Sequence, residues 1–163
     1  MPQIQEGQKL PGATFIRIGE DGPEPVALNE MMDGRKIVLF AVPGAFTPTC
    51  HSAHMPSFIR TKDRFAEKGV DEIVCISVND PFVMRAWATA TGADEGGITV
   101  LADPEGAFTQ AIGMDFTAPP AGLINRSKRY AMLVEDGTVV QLREESSPGE
   151  CDISGGESLL EVI

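Results

Sequence analysis

The sequence predicts an α/β fold with a mixed central sheet and helices on both faces. Three observations predict it. Unbroken apolar runs rich in branched residues stand at "KIVLFAV" (36–42), "EIVCISV" (72–78) and "ITVLA" (98–102), as in strands buried on both faces of a parallel sheet. Segments with helical periodicity or helix-capping chemistry separate these runs. Near the end, "YAMLVEDGTVVQL" places Asp136-Gly137 between two β-rich runs, a strong signal for a two-residue hairpin turn.

Each element follows from local chemistry. In "SFIRTKDRFAEKG", Phe58, Ile59, Phe65 and Ala66 recur at helical spacing and Gly69 fits a stop. With its flanking runs this segment makes a βαβ unit, for which a right-handed crossover is expected. Asp80 is a candidate N-cap with Pro81 at the first helical position, and Asp103 with Pro104 repeats the arrangement for a helix ending at Gly113. "GGESLLEVI" closes the chain as a short helix. Gly, Pro and acidic residues mark loops near 19–25, 92–97, 117–122 and 144–150, and none reads as a linker. The element order is therefore β-α-β-α-β-α-ββ-α, in a single domain over residues 1–163.

Composition narrows the function classes. A chain of 163 residues, 42% apolar, can bury a real core. No run approaches the ~18 consecutive apolar residues of a membrane span, and "MPQIQEGQKLPG" does not read as a secretory signal. The net charge is −11, from 13 Lys and Arg against 24 Asp and Glu, which disfavours nucleic acid and anionic membranes as partners. The three cysteines, Cys50, Cys75 and Cys151, are too few and too scattered for a disulfide framework. A cytoplasmic, reducing compartment is the expectation.

The chemistry concentrates in "PGAFTPTCHSAHMP" (43–56). It follows the first buried strand and leads into the crossover helix, at the sheet edge where open α/β folds bind ligands. Thr47 is a candidate N-cap and Pro48 a candidate first helical residue, which puts Cys50 in the first turn. Unpaired backbone N–H groups and the positive end of the helix dipole favour a thiolate there, below the pKa of about 8.5 of an ordinary cysteine. Cys50 is thus a candidate nucleophile. Pro56 should interrupt the helix and leave 48–55 separable from the rest. His51 and His54 raise a metal site or a Cys50–His54 acyl-transfer pair. The first lacks a second ligand cluster and the second lacks a third member, so a helix-face histidine with an ordinary hydrogen bond is the simpler reading of each.

"PGAFTPTC" resembles the active-site signature of the peroxiredoxins, in the form carried by the type II or "five" subfamily. The pattern of Pro, Thr and Cys falls on Pro43, Thr47 and Cys50. The resemblance continues through "GVDEIVCISVNDPFVMRAW", "LADPEGAFTQAIGMDF" and "RSKRYAMLVEDGTV", essentially the whole chain. It implies a thioredoxin-like fold and a thiol peroxidase acting on hydrogen peroxide and alkyl hydroperoxides, with no metal or other cofactor. It matches Arg126 to the family's active-site arginine; without it Arg126 would read as a surface residue on a basic turn with Lys128 and Arg129. In the implied mechanism the Cys50 thiolate attacks one peroxide oxygen and becomes a sulfenic acid. Arg126, the Thr47 hydroxyl and the Cys50 N–H face the departing oxygen, and Pro43 shields the sulfur. The Thr47 role is divided, since one hydroxyl cannot fully cap the helix and serve peroxide.

The resolving thiol stays open. Cys75 matches a cysteine used by plant members but lies in a predicted buried strand, where a core role competes. Cys151 lies near, though about two residues off, the resolving position of animal members. The third route is an external thiol: glutathione, glutaredoxin or thioredoxin. The resemblance also implies a homodimer with Phe46 and Pro81–Phe82 at the contact. A peroxide-sensing switch with little turnover is the alternative function.

Overall fold

The computed structural model describes residues 2–163, the side chain of Cys50 excepted. Seven strands form one sheet in the order β2-β1-β5-β4-β3-β8-β9. The strands are β1 (Thr14–Gly19), β2 (Gly22–Ala27), β3 (Lys36–Ala41), β4 (Glu72–Ser77), β5 (Thr99–Ala102), β8 (Tyr130–Glu135) and β9 (Thr138–Glu144). Strands β3, β4 and β5 run parallel, and antiparallel pairs extend the sheet on both sides. Two further strands, β6 (Asp115–Ala118) and β7 (Leu123–Ser127), pair with each other outside it.

The three central apolar runs are buried on both faces because alternate residues serve different cores. Val38, Phe40, Ile73, Cys75, Ala131 and Leu133 join the cluster built with helices α2 (Met55–Glu67), α3 (Pro81–Thr91) and α5 (Gly156–Leu160). Ile37, Leu39, Ala41, Val74, Ile76, Tyr130 and Met132 face the other way, toward α1 (Leu28–Met32) and α4 (Ala107–Ala111). Thus both faces of the mixed sheet carry helices.

Local chemistry explains most boundaries. Asp80 Oδ1 accepts from Val83 N at 2.9 Å and Pro81 opens α3, as its capping sequence requires. Asp136 and Gly137 have φ of 49° and 79°, the left-handed pair of a tight hairpin turn.

Three expectations are corrected. The helix expected from Pro104 begins at Ala107, because Asp103–Gly106 closes a turn first and Gly106 takes φ 70°. Asp103 still caps it from a distance, accepting from Thr109 N at 2.9 Å and Thr109 Oγ1 at 2.8 Å. The stretch 19–25, expected as a loop, contains most of β2. Pro23 and Pro25 are tolerated because β2 is the sheet edge and needs no outward N–H donors. Likewise 117–122 forms the bend of the β6–β7 hairpin, with a 3₁₀ turn at Pro119–Ala121.

Pro56 does not end its helix. A wider π segment, Cys50–His54, precedes it and runs straight into α2. Proline has no N–H for the carbonyl four residues back, and its ring crowds that carbonyl. A turn of larger radius relieves both defects.

Helix α5 docks on α2 through Gly156. Its N–H donates to Ser57 Oγ at 2.9 Å, and a Cβ there would collide with Thr61 Oγ1 and the Ser57 backbone. Gly156→Ala should therefore cost about 1–3 kcal/mol through overpacking, read as a lower denaturation midpoint with an unchanged denaturant slope.

Candidate active site

The chain leaves β3 at Val42 and makes a compact loop before the helix. Pro43 and Gly44 are buried. Thr47 donates to Gly44 O twice, from its backbone N at 3.4 Å and its hydroxyl at 2.8 Å. Thr47 O then accepts from His51 N at 3.0 Å, which starts the helix. Thr47 therefore stands at the N-cap position with Pro48 after it. Its hydroxyl is turned back toward the loop, so it closes the turn. Cys50 begins the π segment; its side chain lies outside the described residues.

Two guanidinium groups reach this segment, Arg126 from β7 and Arg129 from the residue before β8. Arg126 Nη1 donates to Val78 O at 2.9 Å and would lie 3.6 Å from a Cβ on Gly44. Its guanidinium therefore abuts the loop at Gly44. Spacing along the chain carries no reason for Arg126 to approach residues 43–47.

Arg129 is the residue that sequence reasoning missed. In the sequence it stands only as part of a basic turn with Arg126 and Lys128, yet it is only 2% exposed. Its Nε and Nη2 both donate to Pro148 O at 3.1 Å, and its Nη1 donates to His54 Nδ1 at 2.9 Å. The signal was faint: an arginine placed directly before the buried run of β8 must either leave the strand's line or find partners inside.

His54 is wholly buried, against the ring of Phe40 at 4.9 Å. Its Nε2–H donates to Ser154 O at 3.0 Å while Nδ1 accepts from Arg129, which fixes the neutral tautomer. Burial first, and then the Arg129 charge, push its pKa from 6.5 down to about 3, against the Ser154 carbonyl, which favours the proton. With both nitrogens engaged, His54 serves neither as a general base for an acyl-transfer pair nor as a metal ligand. The simpler reading of this residue is the one the geometry gives.

Segment 145–154 is laced over the site. Glu145 Oε2 accepts from Asp152 N, Ser154 N and Ser154 Oγ at 2.7, 2.7 and 2.6 Å. Burial pushes the Glu145 carboxyl up, but the bonds from Ser154 and Asp152, with the Arg129 charge, outweigh it and hold the pKa below its usual value. Thr49 Oγ1 donates to Gly149 O at 2.9 Å. This segment carries Cys151, which is half-buried in the wall of a cleft of about 340 Å³ with Ser52, Ala53, Ser57 and Arg60. Cys75 is fully buried on β4, opposite Phe40 of β3.

The redoxin family profile matches residues 5–160. Peroxiredoxin-2E-2, a chloroplastic protein of Oryza sativa subsp. japonica, is 44% identical over 98% of this chain and 72% of its own length. Peroxiredoxin-2C of the same plant is 41% identical over the whole of both chains. The chain belongs to the peroxiredoxin family. Among solved structures, reduced Prx3 of Vibrio vulnificus in complex with H2O2 superposes with a TM-score of 0.91 at 42% identity, covering 98% of this chain and 99% of that one. Peroxiredoxin 5 of Alvinella pompejana does so at 0.83 and 34%, covering 97% and 96%. This peroxiredoxin thus has the thioredoxin-like fold and is a thiol-dependent peroxidase.

The neutral His54 links stability to pH with a definite sign. The unfolded peroxiredoxin takes up a proton on this ring below pH 6.5, the folded one only near 3. The His54 contribution is complete above 6.5 and declines as pH falls, by about 1.4 kcal/mol per unit. Unfolding free energy of the wild type should fall by about 2 kcal/mol from this ring between pH 7 and 5, the slope steepening toward its limit below pH 6. His54→Gln should flatten it; equal slopes would show that the ring titrates normally.

Proposed function

We propose that Cys50 is the peroxidatic residue and that its substrates are hydrogen peroxide and small organic hydroperoxides. The observation that carries the proposal is the pair of permanent cations on either side of this segment, Arg126 beside the loop at Gly44 and Arg129 on His54, four residues after Cys50. Positive charge and unpaired backbone N–H groups together favour the thiolate. The similarity to the Vibrio protein, whose structure holds H2O2, supports the substrate.

The thiolate attacks one peroxide oxygen and the O–O bond breaks. The second oxygen leaves as hydroxide or alkoxide and takes a proton from solvent. Donors aimed at that developing charge lower the barrier. Buried Arg129 is the stronger candidate for this role, because a charge acts further where water is excluded. Arg126, matched to the family arginine by sequence alone, would then hold the loop and screen the sulfur from the other side, with Pro43. The sulfenic acid condenses with a thiol and releases water; a second thiol then attacks the sulfur of the first, forms a disulfide with it and releases Cys50 as its thiolate.

That thiol is external, of the glutathione or glutaredoxin class. Cys75 is sealed in the core between Phe40 and the α3 side chains, and Cys151 is fastened by the Glu145 and Arg129 bonds. A reducing compartment such as the cytosol suits this cycle.

The pair of chains implied by the family would meet over an exposed apolar edge. Phe46, Phe82 and Ile124 are 52%, 63% and 52% exposed. Each lies within three residues of a group bonded to Val78 or Asn79 or of those residues themselves, so they border one turn.

Cys50→Ser should abolish peroxide consumption, whereas Cys75→Ser and Cys151→Ser should leave the first oxidation intact. Mass spectrometry without reductant, after one equivalent of peroxide and then glutathione, should find glutathione on Cys50. A Cys50–Cys75 or Cys50–Cys151 link would replace the external thiol by an internal one. Fast sulfenic acid formation with negligible turnover on every reductant would make the protein a peroxide sensor. For the assembly, Phe82→Glu should convert a sedimenting dimer to monomer; a monomeric wild type would end the dimer proposal.

A further inference from the structure

The loop before the active-site helix contains a residue in an unfavourable conformation. Phe46 has φ 65°, in the left-handed region that costs an ordinary side chain about 1–2 kcal/mol. Its ring is about half exposed, so burial does not hold it there. Its stack on His51 is wide, at 6.1 Å between centroids. The restraint has to come from the backbone on either side.

The two bonds from Thr47 to Gly44 O lie within the loop and move with it. A third leaves the loop: Ala45 N donates to Asn79 Oδ1 at 3.0 Å. Asn79 is itself oriented, because Ser77 Oγ donates to the same oxygen at 2.7 Å. Two donors on one atom fix which way the carboxamide faces. Ser77 ends β4, a central strand hydrogen-bonded to β3 and β5, so this anchor is rigid. Between the two, Val78 O accepts from Arg126 Nη1. One tripeptide, Ser77–Val78–Asn79, therefore holds both the loop that sets the helix start and the guanidinium that abuts Gly44.

We propose that Asn79 is a positioning residue for the oxidation of Cys50. Its side-chain carbonyl pins the backbone of residues 44–47, and through it the first turn of the helix, relative to Arg126. It acts through the loop. The inference rests on Cys50 being the peroxidatic residue. Displacing reacting groups by about 1 Å can cost up to about 10²-fold in rate, so one hydrogen bond outside the reacting atoms has leverage here.

The test compares Asn79→Leu, similar in size but without the acceptor, with Asn79→Asp, which keeps both acceptor interactions. The rate constant for H2O2 is measured by competition with a second peroxidase. The pKa of Cys50 is read from the pH dependence of its alkylation by iodoacetamide, mapped by mass spectrometry. Asn79→Leu should slow oxidation by about 10- to 100-fold and move the alkylation midpoint upward, and Asn79→Asp should recover most of the rate. A residue that only supports the fold would lower the melting temperature and leave the midpoint and the rate per folded molecule unchanged. That result, or an Asp variant no faster than the Leu variant, overturns the proposal. If Asn79→Leu does not fold, Ser77→Ala, which removes only the orienting donor, is read by the same two measurements and the same criteria. A wild type that consumes no peroxide would instead sink the peroxidase reading, and the alkylation profiles would still judge Asn79.

Discussion

A charged guanidinium inside the protein is the constraint around which the site is arranged. Arg129 cannot discharge itself, and an unpaired buried charge costs several kcal/mol. Its hydrogen-bond partners include the Pro148 carbonyl and the neutral ring of His54, dipoles that satisfy these donors. The nearby carboxylate, Glu145, spends one oxygen on the backbone and hydroxyl of Ser154 and on Asp152 N, so it steadies the segment while acting on Arg129 only through space. Burial first, and then repulsion from Arg129 in a low dielectric, strip the His54 ring of its proton on folding. The result is one positive charge, desolvated and held still, beside the helix that Cys50 begins. A desolvated, fixed charge stabilises a thiolate and a departing oxygen with little reorganisation.

The helix itself shows a second compromise. It must start sharply at Thr47 and Pro48 to offer its N-terminal field, yet Pro56 comes within its first turns. The π segment over Cys50–His54 absorbs the proline and turns His54 inward toward Phe40, Arg129 and Ser154. The feature that looked like a break in the sequence is the one that brings the histidine to the arginine.

Local signals made much of this legible. The branched runs of β3, β4 and β5, the Asp80-Pro81 cap, the Asp136-Gly137 turn and the place of Cys50 at a helix start all depend on residues a few positions apart. The wiring of the site does not. The Ala45–Asn79, His54–Arg129 and His54–Ser154 bonds span 34, 75 and 100 residues, and neither partner carries a mark of the other. For that reason Arg126 is named only by resemblance and Arg129 carries no sign of a role in the sequence. Strand β2 failed for a different reason: its prolines are excluded from central strands but not from an edge, and edge position is a property of the sheet.

The same long-range bonds bear on how the oxidised sulfur is reached. Any swing of residues 49–54 toward Cys75 or Cys151 has to break Thr49 to Gly149 and His54 to Ser154, and the second leaves a buried ring nitrogen without its acceptor. An unsatisfied buried donor costs about 1–3 kcal/mol, before Arg129 is considered. Arg129 would lose its bond to His54 while remaining charged and enclosed. Bringing residues 49–54 to Cys75 or Cys151 therefore carries an opening penalty, and that penalty comes from the same bonds that hold the cation in place.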